Sequence, residues 1–177
     1  MTYTVDGARA LPGSLVAAAP AAKPPVVAFS DGTRIRLAPQ ARTRVVNVGR
    51  RGARVNLDAG KADVEVAHLP GAEWFFEAGP FVITVHGTAF TLEWDAKSAH
   101  LGVQMRSGVV SVSGPVSGGE IVLRAGQTLS LNLNDQGGPS ANDVTGSDSE
   151  PAPGLAPPAV VASPSAGTAR AADGRRP

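Results

Sequence analysis

A small or acidic residue followed by glycine and then a short alternating run recurs along this chain, and no other feature restricts its fold so much. The step appears at Asp31-Gly32-Thr33, Ala59-Gly60-Lys61, Ser107-Gly108-Val109 and Ala125-Gly126-Gln127. The runs that follow are strand-like: Ile35-Arg36-Leu37, Val64-Glu65-Val66, Val110-Ser111-Val112 and Leu129-Ser130-Leu131. A fifth instance, Val85-His86-Gly87-Thr88-Ala89-Phe90, lies between apolar β-prone residues on both sides, Ile83 before it and Leu92 after it. Glycine suits a strand that must bend or admit another backbone closely, because it has no Cβ. One structural step reused five times predicts an all-β chain. The form expected is a compact, stacked, solenoid-like domain with parallel or mixed strands and a Val/Leu/Ile interior. Gly87 is then expected where a side chain would collide with a neighbouring layer.

Alternation supports the β assignment elsewhere. Thr33-Arg34-Ile35-Arg36-Leu37 switches polar and apolar at every residue, and the alternation recurs in Arg44 to Val48 and Ala53 to Leu57 on either side of Gly49-Arg50-Arg51-Gly52. That basic tetrapeptide reads as a hairpin loop. No window shows helical periodicity beyond a single turn near Asp95 to Ala99. From Gly137 onward nearly every residue is Gly, Pro, Ala, Ser, Asp or Arg. Such a segment buries too little apolar surface to offset an ordering cost of about 1–2 kcal/mol per residue. The expected organisation is a β domain over 1–134 and a disordered Pro/Ala/Gly-rich tail or linker over 135–177.

Composition narrows the function. Of the 177 residues, 42% are hydrophobic and only 5% aromatic, so aliphatic side chains must fill the core. A net charge of +1 argues against a dedicated nucleic-acid binder. The absence of cysteine removes disulfide frameworks and thiolate metal sites. The longest weakly polar stretch, Leu15 to Ala22, contains Pro20 and is far shorter than the roughly 20 residues a bilayer span requires. Residues 1–6 offer neither the basic start nor the apolar centre of a secretory signal, so the chain is expected to be cytoplasmic or part of a longer, membrane-anchored protein.

No catalytic constellation stands out. His68, His86 and His100 are scattered without metal-ligand spacing, and neither a nucleophile elbow nor a phosphate-binding glycine loop is present. The expectation is a non-enzymatic domain with no metal and no cofactor. Two features suggest binding. Arg34, Arg36, Arg42, Arg44, Arg50, Arg51 and Arg54 fall between Asp31 and Asp58 with no acid among them. They form either a solvated strand face or a positive patch for an acidic protein surface, with Arg34, Arg36, Arg42 and Arg44 as its candidate contacts. The aromatics Trp74, Phe75, Phe76, Phe81, Phe90 and Trp94 cluster in one third of the chain. Most of these belong in the core, while Trp74 is a candidate for an exposed stacking residue.

The order of these motifs resembles the FecR domain family. The residues that carry the likeness are Phe29 to Thr33, Leu57 to Val66, Phe76 to Val85 leading into Gly87-Thr88-Ala89-Phe90, Arg106 to Val112, and Leu123 to Gln127. On them the resemblance marks Asp31, Gly32, Gly60, Gly87, Thr88, Phe90, Gly108 and Gly126 as the structural motif. It implies an extracytoplasmic, periplasmic β module in cell-surface signalling of the anti-sigma regulator type, meeting a protein partner in the cell envelope. The alternative is a carbohydrate- or cell-wall-binding β module that uses the aromatics around Trp74.

Overall fold

The strand Ala53–Glu65 is thirteen residues long, and its inward face changes parity partway along. Ala53, Val55 and Leu57 point into the core, and beyond the middle the inward residues are Ala62 and Val64. Two local events cause the switch. Asp58 is skipped in the pairing, because Thr43 faces Leu57 while Arg42 faces Ala59. Two residues on, Gly60 adopts φ +90°. An extra residue at a bulge rotates the alternation by half a period, and the left-handed residue turns the strand. A Cβ on Gly60 would also lie 2.6 Å from the Cα of Ala41, so both conformation and space demand glycine.

A computed structural model describes residues 1–20, 23–115 and 119–134, together with the backbone of the short strand Val144–Thr145. In chain order the strands are β1 (Tyr3–Val5), β2 (Ala8–Arg9), β3 (Leu15–Ala17), β4 (Val26–Phe29) and β5 (Arg34–Leu37). Next come β6 (Arg42–Val48), β7 (Ala53–Glu65), β8 (Trp74–Ala78), β9 (Phe81–Val85) and β10 (Ala89–Asp95). The series ends with β11 (His100–Ser107), β12 (Val109–Ser113), β13 (Ile121–Arg124), β14 (Thr128–Asn132) and β15 (Val144–Thr145). All belong to one fifteen-stranded sheet.

The sheet folds over at β7. The first part of β7 pairs with β6 and β8, and its last part pairs with β5 and β10. One half of the sheet therefore runs β3, β6, β7, β8, β9, β12, β13, and the other runs β2, β1, β4, β5, β7, β10, β11, β14, β15. Aromatic rings join the inner faces. Phe29 of β4 meets Trp74 of β8 edge-on at 4.7 Å, Phe76 meets Phe90 at 5.5 Å, and Phe81 meets Trp94 at 6.1 Å. Edge-to-face pairs of this kind contribute about 0.5–1.5 kcal/mol each beyond their burial. A single hydrophobic core results, in which Leu92, Leu101, Leu123, Leu129 and Leu131 are buried with the rings.

The all-β expectation holds, and the solenoid form does not. Among the described residues only β7 and β8 pair in parallel; every other pairing is antiparallel. The reason lies in the connections. Gly79 and Pro80 alone separate β8 from β9, and such a short link returns the chain beside itself as a hairpin. The recurring glycine step has a different purpose from a solenoid rung. Gly32 closes the β4–β5 hairpin, whereas Gly60, Gly87, Gly108 and Gly126 each sit where the chain crosses from one half of the folded sheet to the other. The expected helical turn is a non-helical turn at 96–99. The expected disordered tail over 135–177 lies outside the described residues, except that Val144–Thr145 pairs with β14.

Neighbouring crossings brace each other. A Cβ on Gly87 would lie 2.7 Å from the Cα of His68, on the connection from β7 to β8, and one on Gly108 would lie 2.5 Å from Cγ2 of Thr88. Gly126 also has positive φ, at +83°, yet a Cβ there meets nothing within 4 Å. The two positions separate strain from crowding. Gly126→Ala is expected to cost about 1–2 kcal/mol, the left-handed penalty alone. Gly87→Ala adds an overpacking term of about 1–3 kcal/mol. Equal shifts of the two denaturation midpoints would refute the crowding at Gly87. Thr88 is buried and its methyl makes the contact, while its Oγ1 has no hydrogen-bond partner. Thr88→Val should accordingly leave the midpoint unchanged or raise it, since a buried unpaired hydroxyl is replaced by a methyl.

Candidate functional site

Strand alternation turns Arg34 and Arg36 outward from β5, opposite Ile35 and Leu37, which are buried. Pairing then decides their electrostatic surroundings. Directly across on β7, Arg34 faces Glu65 and Arg36 faces Asp63. Asp63 also accepts a hydrogen bond from Thr91 Oγ1 at 2.7 Å and lies 3.6 Å from Arg106. Lys61 and Glu93 extend this charge lattice at 3.9 Å. Arg42 and Arg44 are exposed as well, but on β6, in the other half of the sheet, where Asp58 lies 3.7 Å from Arg44. The arginine run is therefore not one single-sign surface. The fold divides it between two halves and sets carboxylates from β7 beside Arg34, Arg36 and Arg44. Of these three, among the described residues, only Arg44 has a carboxylate within 4.0 Å, an exposed pair that adds about 0–1 kcal/mol. The carboxylates across from Arg34 and Arg36 lower the net charge of that face.

Trp74 is also displaced from its expected role. Its ring is fully buried between Phe29 and Phe76, so it presents no stacking face to a ligand. The ring turned outward is Phe75, half-buried on the opposite face of β8. The Arg54 guanidinium lies 5.3 Å above it, and Arg54 Nη1 donates to Glu77 Oε1 at 2.6 Å. These residues come together because the register places Arg54 opposite Phe75 and Asn56 opposite Glu77.

An open groove of about 810 Å³ begins at this ring. Val46, Asn47, Arg54 and Phe75 line it from the strands, and the Gly49-Arg50-Arg51-Gly52 loop, Gly71 and Glu73 complete its walls. The loop is the predicted hairpin, closed by the Gly49 N–H donating to the Gly52 carbonyl at 2.8 Å. Its position against the neighbouring segment is fixed by the Glu73 N–H, which donates to the Arg51 carbonyl at 3.1 Å. Gly52 packs directly against the Glu73 backbone. Val46 is displaced outward where the β6–β7 register slips between Val45 and Asn47, and it is 44% exposed. Among the described residues, Arg50 and Arg51 form no ion pair within 4.0 Å. Sequence reasoning placed both in the arginine run without choosing them. The signal was available: two adjacent cations in a glycine-bounded hairpin loop have no cross-strand partner to neutralise them.

The motif residues make contacts within the fold. Asp31 accepts from the Thr33 N–H at 2.9 Å and from the Thr33 hydroxyl at 3.0 Å, and the same hydroxyl accepts from the Ala67 N–H at 3.1 Å. This links the Gly32 turn to the chain leaving β7. Phe90 is fully buried against Phe76. Gly126 lies in the β13–β14 connection, where its N–H donates to the Met105 carbonyl at 3.1 Å. The three histidines serve local contacts. His68 Nδ1 is 3.3 Å from the His86 carbonyl, His86 Nδ1 is 3.2 Å from the Ala72 carbonyl, and His100 Nε2 is 3.0 Å from Ser130 Oγ. Among the described residues no group of three or more His, Cys, Asp or Glu is placed to hold a metal ion. Among the described residues two pKa values are displaced, both away from the groove. The Lys97 N–H and the Ser98 hydroxyl hold Asp95 below the usual carboxylate range, and burial raises Tyr3.

With the geometry established, comparison identifies the class. The FecR family, described as FecR protein, matches residues 21–111, just over half of the chain, and the chain belongs to that family. Two crystal structures of a proposed anti-sigma factor from Parabacteroides distasonis, at 2.50 and 1.65 Å resolution, share the fold. Each gives a TM-score of 0.61 at 18% identity, over 69% of this chain and 56% of the other. The chain thus spans just over half the length of those structures. No curated protein matches it. Among the described residues no helix is long and apolar enough to cross a membrane.

The two neighbouring aromatics provide a direct test of this arrangement. Trp74→Ala should cost about 3–5 kcal/mol through the cavity it opens. Phe75→Ala should leave the fold close to wild type. Comparable losses in urea denaturation would mean that both rings are core.

Proposed function

We propose that this chain is a non-enzymatic FecR-type interaction module of an envelope signalling protein that regulates a sigma factor. Family membership over residues 21–111 carries this reading. The fold it shares with the proposed anti-sigma factor supports the same class. The module comprises residues 1–134 and works in the periplasm, and its partner is a protein. Affinity for such a partner would come from the outer face around Phe75 and the groove beside it, where apolar surface and unpaired cations are adjacent. The arginines of β5 contribute less, because β7 sets a carboxylate opposite each of them. The carbohydrate alternative loses its main support with the burial of Trp74.

Deleting residues 21–111 from the gene in its native setting tests the role. RNA sequencing should show a discrete set of promoters changing several-fold, the signature of altered sigma-factor activity. Alkaline phosphatase fused after Asn134 should be active in the same host. An unchanged transcriptome refutes the regulatory role, and an inactive fusion refutes the location.

A further inference from the structure

We propose that the groove at the end of the β6–β7 hairpin binds an extended, acidic peptide segment of a partner protein; this deepens the interaction role proposed above and rests on it. Charge complementarity is the first argument. Arg50 and Arg51 project from a loop that crosses the groove, and no carboxylate lies within 4.0 Å of either among the described residues. Arg54 is committed to Glu77 and Phe75, so it shapes the floor and contributes little free charge. Among the described residues Glu73 is the one carboxylate in the lining.

The second argument concerns the backbone. β3 covers only Arg42–Arg44 of β6, and the Gly13 N–H takes the carbonyl of Val45 at 2.8 Å. Beyond that point, among the described residues, the outer edge of β6 has no strand beside it. An extended peptide supplies the backbone donors and acceptors that such an edge lacks, and strand addition is a general mode of peptide capture. The free segment includes Val46, which is 44% exposed, and the half-buried Phe75 lies across β7 on the same groove. An apolar side chain of the peptide rests on Val46, with flanking carboxylates reaching Arg50 and Arg51. A single anion such as phosphate would satisfy the cations but leave the apolar floor and the strand edge unused.

The test uses the full 177-residue chain and a fluorescein-labelled pentapeptide with one leucine between two pairs of aspartates. Its counterpart with asparagines should bind at least tenfold more weakly. The double variant Arg50→Glu and Arg51→Glu should weaken the acidic peptide at least tenfold, while Arg34→Glu with Arg36→Glu changes it less than twofold. Raising salt from about 0.1 M to 1 M shortens the Debye length from about 10 to 3 Å and should remove most of the preference for the acidic peptide. Amide shifts in the wild-type protein provide a readout independent of any variant, and they should be confined to residues 46–54 and 71–75. Equal binding of the two peptides, displacement by millimolar inorganic phosphate, or shifts centred on another face would overturn the proposal. A peptide that binds as expected in a chain whose deletion leaves transcription unchanged would refute the signalling role and leave the groove assignment standing.

Discussion

Everything in this structure depends on how the chain crosses between the two halves of its folded sheet. A flat sheet of fifteen strands would leave one apolar face in water, so it must fold over, and each crossing forces the backbone through a corner. Four of these corners fall on Gly60, Gly87, Gly108 and Gly126, all with positive φ. Several corners also touch: Gly60 packs on Ala41, Gly87 on His68, and Gly108 on Thr88. The contacts replace side chains with backbone at the crease, which lets the aromatic layer of Phe29, Trp74, Phe76 and Phe90 close behind it.

The same crease governs the surface. Because β7 takes part in both halves, its outward carboxylates serve both. Asp58 lies near Arg44 in one half, while Asp63 and Glu65 face Arg36 and Arg34 in the other. Charges that are segregated along the chain are thereby mixed in space. The hairpin loop escapes this mixing, since Arg50 and Arg51 lie beyond the end of the pairing, and so does Arg42, which faces Ala59. The positive character of the loop is local, and it borders the one outward aromatic, Phe75.

Much of this was legible in the sequence because strand alternation is a local property. The outward Arg34 and Arg36 against the inward Ile35 and Leu37 follow from period two alone. The break after Gly49 and the β character through Asn132 follow in the same way. Partner choice was not legible, because it is set by residues distant in sequence. Glycine positions show that the backbone bends but not whether it begins a new rung or passes to a facing layer, and so a solenoid was expected where a folded sheet exists. Period two likewise puts Trp74 and Phe75 on opposite faces of β8. Which face is buried depends on Phe29, forty-five residues earlier in the chain, and no local pattern carries that information.

The sharing of β7 has a consequence for how such a module could carry a message. Its hydrogen bonds are divided among four neighbouring strands, two in each half. Because one strand runs through both halves and one core joins them, opening of either half is expected to disturb the other and to be costly. Order–disorder within the core is then too expensive to act as a relay. What remains inexpensive is reorientation of the unit as a rigid body, with its loops and edges meeting different neighbours before and after.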